Sequence, residues 1–595
     1  MLDYAVASPH HACMNALDLF EDTIRLPELD AAVLSMAGNG EIERGAVFTR
    51  PEVVTAILDL CGYRTEFPLH RLRLLEPSFG GGDFLLPAVD RLLDAYARAG
   101  GTPAQARVRL QACVQAVELH GRSFEQTRAA LRARLEAWGI PAPDAEALCA
   151  DWLLHDDFLL ANVRPGFDVV VGNPPYVRQE RIPAALLREY RRRFRTLYDR
   201  ADLYVPFFER SLDLLGEGGV LGFICANRWL KNRYGGPLRG KISDGYWLKY
   251  FIDTEGADAF HADVIAYPAI TVIQRPTAHA ESRPTRAVHA SAVESLSLPE
   301  LTAGLLSAEG SAAWVEQVEL TGTGEAPLLL DDLARLALMQ RIERDFPVLE
   351  QAGCKVGIGV ATGCDRVFIG KLDELPVEAT RKLPLVMARD LVDGGIRWSG
   401  KGVVNPFDED GGLVDLACYP ELRGYLDDHG DAVRGRNVAK RNPSGWYRTI
   451  DRIQTGLLET PKLLVPDIKG EGVFVLDEGH FYPHHNLYFV TSESWDLRAL
   501  QTVLRSSITL MTVATYCTRM AGGFLRFQAQ YLRRIRLPRW QQVAPGMRRR
   551  LVAVAGERDQ TLVDAPVFEL YGLDEREAAE VRAIADAARA SKGSP

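Results

Sequence analysis

Asn173, Pro174, Pro175 and Tyr176 follow one another directly and combine an amide, two backbone-fixing rings and an aromatic face. That set suits one kind of chemistry. An exocyclic amino group on a nucleobase is a poor nucleophile, because its lone pair is delocalised into the ring. Acceptors placed on its two hydrogens localise the lone pair and aim it. The Asn173 side-chain oxygen and the Pro174 carbonyl can be those acceptors. Pro174 has no N–H to compete, and the paired prolines hold the chain extended. The Tyr176 ring can stack on the base. A plain proline-rich turn is the alternative that Asn-Pro alone would favour; all four residues behind a hydrophobic strand argue for chemistry.

The element that must position this loop is the run FDVVVG before it. An unbroken β-branched run is the mark of a strand covered on both faces of a parallel sheet. In open α/β sheets, ligands bind at the carboxyl ends of such strands. Three earlier strand ends carry acidic groups. In LRLLEPSFGGGDFLL, Glu76 closes a strand, Gly80, Gly81 and Gly82 make a turn, and Phe84 opens a helix. The glycines allow close backbone approach of a ligand; the stretch lacks the Lys-Ser/Thr of a phosphate-binding loop. In VQAVELHGRS, Glu118 ends a strand where a carboxylate can accept two ribose hydroxyls, and Leu119 can pack on a purine; a solvated carboxylate is the other reading. In WLLHDDFLL, Asp157 can accept from an adenine amino group and Phe158 can cover the ring, with Asp156 as competitor. Upstream, Thr49 stands before Arg50-Pro51 and suits the N-cap of a helix beginning near Glu52.

The series TRPEVV, EPSFGGGDF, VELHGRS, DDFL and NPPY resembles the gamma-class, TaqI-like DNA adenine-N6 methyltransferases of restriction–modification systems. The resemblance implies an α/β fold: a seven-stranded Rossmann-like sheet that binds S-adenosylmethionine, with a second, mixed α/β DNA-recognition domain. It places Thr49 near the methionine part of the cofactor, Glu76, Pro77, Gly80 and Gly82 beneath it, Glu118 and Leu119 at the ribose and purine, and Asp157 with Phe158 at the adenine. Asn173, beside the cofactor, and Pro174, Pro175 and Tyr176 would hold the flipped target adenine. Phe260 would form the second slice of the base sandwich, with a place in the core as its alternative.

The second half supports the same resemblance through CKVGIGVATGCDRVFIG, RNVAKRNPSGWYRTI, HFYPHHNLYFV and GGFLRFQAQYLRRIRLP. Val356, Ile358 and Val360 alternate, and a turn over residues 362–365 predicts a hairpin returning through Val367, Phe368 and Ile369. The boundaries expected are a helical extension over 1–40, a methyltransferase domain over 41–280, a connector over 281–330, a specificity domain over 331–542 and a helical tail over 543–595 that braces the two domains. Two basic-aromatic stretches are candidate DNA contacts: Arg191, Arg192 and Arg193 directly after the loop, and Arg436, Lys440, Arg441, Trp446 and Arg448 in the second region. Each is open to the alternative of a solvated basic surface.

The chain has 595 residues, 47% of them hydrophobic and 25% charged, as expected of a globular protein with more than one core. Net charge is −10, weak evidence against nucleic acid, since one basic cleft suffices. The nine cysteines show no CxxC pair and no zinc spacing, so reduced thiols and no metal are expected. No apolar run is long enough to span a membrane. The expected partner is double-stranded DNA, with a separately encoded restriction endonuclease as a candidate, for a cytoplasmic monomer. Cytosine-N4 transfer, glutamine-N5 transfer to a protein and a non-catalytic DNA-binding specificity module remain alternatives. A fused nuclease is disfavoured, because no Glu-x-Lys follows Pro466-Asp467.

Overall fold

The computed structural model describes residues 27–38, 49–254, 268–278, 284–288, 296–307, 314–318, 324–328, 330, 333–467, 472–517 and 525–590. The chain divides into two compact units, Met1–Leu330 and Asp331–Pro595.

The first unit is built on a nine-stranded mixed sheet, in the order β3-β2-β1-β4-β5-β7-β6-β8-β9. Its strands are β1 Leu74–Glu76, β2 Val114–Glu118, β3 Leu153–His155, β4 Phe167–Gly172, β5 Leu215–Ala226, β6 Trp247–Asp253, β7 Pro268–Gln274, β8 Thr285–Val288 and β9 Val315–Val318. β3, β2, β1, β4 and β5 run parallel. β7 is antiparallel to both β5 and β6.

The valine run of β4 behaves as its composition dictates. Side chains alternate between faces, so Val169 and Val171 enter one core with Val54, Ile57 and Leu85. Val170 enters the other with Phe208 and Leu212, and Phe167 joins it there because the register shifts between Phe167 and Val169. Helix Pro51–Leu60 lies so close on β5 that a Cβ at Gly222 would meet Cys61 Sγ at 2.3 Å; only glycine permits that approach. Chain direction across the sheet reverses beside β1, which pairs with β2 on one side and β4 on the other. The carboxyl ends of β1 and β4 therefore flank the crevice where such sheets take ligands.

Two expectations need correction. The stretch read as a connector contributes β8 and β9 to the sheet, joined to β6, so the sheet exceeds seven strands. The hairpin of the second region does not form. β10 (Cys354–Ile358) pairs instead with β19 (Leu487–Ser492), and residues Asp365–Phe368 are a short helix. Alternation reports a half-buried strand but not its partner, and here the Phe489 ring lies across Gly357. The tail packs within the second unit, where Val563, Val567, Val581 and Ala585 are buried and Asp564 binds Ser507 through both N–H and hydroxyl.

After β10, the second unit's strands are β11 Ile369–Lys371, β12 Lys382–Val386, β13 Leu391–Val392, β14 Gly395–Ile396, β15 Lys401–Val404, β16 Lys462–Pro466, β17 Val475–Asp477, β18 Tyr482–Pro483 and then β19. They form two four-stranded sheets, β10-β19-β16-β17 and β11-β15-β12-β18, and a two-stranded ribbon, β13-β14. Between β16 and β17 lies a fully buried pair, Lys462 Nζ to Asp477 Oδ2 at 2.8 Å. The ammonium also donates to the carbonyls of Leu457 and Thr460 at 2.9 and 3.0 Å. Breaking a buried pair from one side leaves an uncompensated charge. Asp477→Ala is therefore expected to destabilise the second unit by roughly 3–5 kcal/mol in denaturant unfolding, whereas an exposed pair such as Lys355–Glu493 contributes almost nothing.

Candidate functional site

The site is assembled from strand ends. β1 finishes at Glu76 and the chain enters the glycine turn, where Gly80 and Gly82 have φ of 48° and 85°. A Cβ at Gly82 would meet Thr127 Cγ2 at 2.9 Å, so left-handed backbone and close packing both require glycine. Thr127 Oγ1 donates to Gly80 O at 2.8 Å. Glu118, at the end of β2, fixes the other side of the turn. Its two carboxylate oxygens accept from the N–H groups of Gly80 at 2.7 Å and His120 at 2.8 Å.

At the third strand end, Asp157 Oδ1 accepts from Leu159 N–H at 2.8 Å, and Oδ2 accepts from the hydroxyl of Tyr190. Asp156 Oδ1 accepts from Asp157 N–H at 2.7 Å. The competitor thus supports the Asp157 backbone. Phe158 is buried between the Phe207 ring, with centroids 5.1 Å apart, and the Arg210 guanidinium, 5.2 Å from its centroid. Burial pulls the Arg210 guanidinium down to about 10; it donates to the carbonyls of Leu159 and Ala161 and so pins the segment after Asp157.

The fourth strand end is the Asn-Pro-Pro-Tyr loop. Asn173 Nδ2 donates to Thr49 Oγ1 at 3.2 Å, and Thr49 N–H donates to Asp83 Oδ2 at 2.8 Å. Thr49 therefore does not cap the helix that follows. Arg50 is the N-cap residue, without a side-chain cap bond, and the Thr49 hydroxyl is committed to a loop 124 residues away. The glycine turn and the amide loop are tied together through one threonine. Gly172 lies beside the Glu76 side chain, 3.8 Å from a Cβ built there to Glu76 Cγ.

A narrow cleft is lined by Glu118, Leu119, Asp157, Phe158, Pro175 and Tyr190 among others. The four strand ends are thus brought to one rim. Tyr176 packs beside Tyr204, ring centroids 6.3 Å apart. Burial holds its phenol well above the ordinary value, so it stays neutral. Phe260 lies outside the described residues.

Glu76 is 1% exposed, and burial, followed by the negative Asp83 and Glu118, pushes its carboxyl well above the usual range. Its Oε2 has no hydrogen-bond partner among the described residues. A buried carboxyl of this kind is suited to face a cation. Because its folded-state pKa is raised, the stability it contributes is present below the unfolded value and lost as pH rises through the folded value. Glu76→Gln is therefore expected to raise Tm relative to the parent at pH 8 and to leave it nearly unchanged at pH 4.

Tyr190 is a cleft residue that the sequence did not single out. It belongs to the arginine-rich stretch, yet it is 1% exposed and anchors helix Ala184–Arg193 to Asp157. Its spacing from buried Leu186 was the available signal, one inward stripe at i and i+4. Tyr190→Phe removes a partner from a buried carboxylate and is expected to cost on the order of 1–3 kcal/mol in urea unfolding. On the same helix, Arg192 and Arg193 pair with Glu189, whose carboxyl is lowered to about 2 chiefly by the Arg192 bond. Arg191 donates to Gln179 and to the Asp199 carbonyl.

The second basic cluster splits. Arg436 donates to the carbonyls of Val433, Thr362 and Trp446, and Trp446 is buried beneath Arg434. Both serve the fold, while Lys440 and Arg441 are exposed and Arg448 is half-buried.

The family model described as Eco57I restriction-modification methylase matches residues 120–260. The chain is 54% identical over 553 residues to the type II methyltransferase M.PaeR7I of Pseudomonas aeruginosa, covering 92% of this chain and 95% of that protein. It is 51% identical over 538 residues to the type II methyltransferase M.XhoI of Xanthomonas vasicola, covering 90% and 98%. Among solved structures, the type IIL restriction-modification enzyme MmeI, in complex with DNA, has the same fold with a TM-score of 0.54 at 10% identity, over 95% of this chain and 76% of that one. With identity of this level across nearly its whole length, the chain belongs to the type II methyltransferases of restriction–modification systems.

Proposed function

We propose that the protein methylates the N6 amino group of an adenine turned out of duplex DNA, with S-adenosylmethionine as donor, as the modification component of its system. The observation that carries this reading is the chain of contacts from Asn173 through Thr49 to Asp83, which couples the amide loop to the glycine turn. The residues present fit the cofactor. Glu118 remains at the cleft wall to accept ribose hydroxyls, Asp157 to accept from the adenine amino group, and Phe158 and Leu119 to cover the purine. Buried Glu76, whose carboxyl is raised in the empty site, would ionise when a cationic group arrives beside it. The cofactor, when bound, supplies a methyl group on a sulfonium centre.

The protein's own part is to hold and aim the acceptor. The Asn173 side-chain oxygen and the Pro174 carbonyl accept the two N6 hydrogens and localise the lone pair toward the donor. Neutral Tyr176 stacks on the base, worth roughly 1–3 kcal/mol against the cost of unstacking. Exposed Lys440 and Arg441 are suited to phosphate contacts that position without reading sequence. The expected partners are double-stranded DNA and a separately encoded endonuclease, for a cytoplasmic protein acting as a monomer. No helix among the described residues is long and apolar enough to cross a membrane.

The test uses methyl-labelled cofactor and unmethylated duplex DNA, with the product hydrolysed to nucleosides. Label in N6-methyl-2′-deoxyadenosine is the expected result. Label in N4-methyl-2′-deoxycytidine, or in protein rather than DNA, contradicts the reading.

A further inference from the structure

Three side chains able to ligate a metal converge in the second unit, away from the site described above. Asp365 begins the short helix Asp365–Phe368, and His484 and His485 make the turn between β18 and β19. One ligand atom from each lies within 4.8 Å of the other two. Backbone pairing builds the convergence. His484 N–H donates to Val386 O and His485 N–H to Val360 O, each at 3.0 Å, and Val360 bridges to His484. The turn after Val360 then brings Asp365 back over the pair, where Thr362 Oγ1 donates to its Oδ1.

The spacing is informative. His484 Nε2 and Asp365 Oδ2 are 3.3 Å apart. A charge-assisted N–H···O⁻ bond settles at about 2.7–2.9 Å. Two ligands of a tetrahedral ion, each about 2.0–2.1 Å from it, stand about 3.3–3.4 Å apart by geometry. The observed separation is that of a long hydrogen bond and equally that of two ligands of one ion. His484 has a 4% exposed side chain, and its Nδ1 is buried without a partner among the described residues. The nitrogen that faces the carboxylate is Nε2, so Nε2 is the ligand atom of this ring, and buried Nδ1 lies on the ring's other side, where a water can satisfy it. The Asp365 side chain is 49% exposed and His485 is also exposed, so one ligand is fixed while two can rotate the short way needed to close on an ion.

We propose that His484, His485 and Asp365 bind one transition-metal ion of the Zn²⁺ class, with the remaining coordination open to solvent. Two imidazoles and one carboxylate favour Zn²⁺ or Co²⁺ over Mg²⁺ or Ca²⁺, which want oxygen ligands. The ion ties the segment over 360–368 to the β18–β19 turn, beside the point where Arg436 holds the Thr362 carbonyl. Sequence spacing could not show it, because Asp365 and His484 are 119 residues apart.

The experiment takes the untagged full-length chain, stripped with a chelator, and titrates it with ZnCl₂ by calorimetry and with Co²⁺ by visible absorption. Expected are one saturable equivalent, a Co²⁺ spectrum of a low-coordinate nitrogen–oxygen site, and a higher Tm for the metal-loaded chain. His485→Ala and Asp365→Asn should each weaken Zn²⁺ binding by at least about tenfold and leave S-adenosylhomocysteine affinity and far-UV circular dichroism unchanged. The exposure of His485 makes that variant safe for folding. Absence of saturable uptake by the parent chain up to about 100 µM, where a site of this class would be filled, overturns the proposal. So does equal affinity in parent and variants, which would put the ion elsewhere.

Discussion

Asn173→Ala is expected to slow methyl transfer by on the order of 10²–10³-fold in single-turnover assays, while cofactor affinity measured by calorimetry changes far less. The reasoning is differential binding. An acceptor that aims the lone pair of the amino group acts most strongly as the new bond forms. Its removal therefore falls on the rate and not on ground-state binding. The Asn173 amide also reaches Thr49 Oγ1, so the substitution loosens one tie to the glycine turn. Thr49→Val tests that part separately: it removes the hydroxyl acceptor while keeping the shape, and should cost much less. Equal losses in rate and cofactor affinity for Asn173→Ala would show that the residue serves the cofactor and not the target base.

The second large effect is expected at Glu118. Its carboxylate holds the Gly80 and His120 N–H groups and, in the function proposed, accepts ribose hydroxyls. Hydrogen bonds to a charged group contribute about 1.5–3 kcal/mol each. Glu118→Ala removes two that shape the turn and those made to the ligand, so cofactor Kd should rise by on the order of 10²-fold or more. At saturating cofactor the transfer rate should largely recover, opposite to Asn173→Ala. Glu118→Gln keeps one acceptor oxygen and should fall between. A Glu118→Ala chain that binds cofactor normally would remove Glu118 from the ribose.

What was legible in the sequence was local. The valine run before Gly172, the glycine turn, the acidic residues closing β1 and β2 and the aspartates just after β3 each carry their signal within a few residues, and the sheet places them on one rim. What was not legible depended on partners distant in the chain. Thr49 looked like an N-cap because the local pattern allows it, but its hydroxyl meets Asn173 instead. Alternation at Val356, Ile358 and Val360 announced a strand without saying that β19 would pair with it. β8 and β9 are four residues each, and strands that short gain their stability from the sheet they join, not from propensity. The arginines of helix Ala184–Arg193 drew attention away from Tyr190, whose burial against Asp157 makes it part of the cleft.

The claim that the amide loop receives a flipped adenine is tested most directly by a structure of the chain with duplex target DNA and a non-transferring cofactor analogue. The expected result is an adenine outside the helix, its N6 about 3 Å from both the Asn173 side-chain oxygen and the Pro174 carbonyl, with the Tyr176 ring stacked on its face. A target base still paired in the duplex, or an amino group held by other residues while the loop faces away, contradicts it.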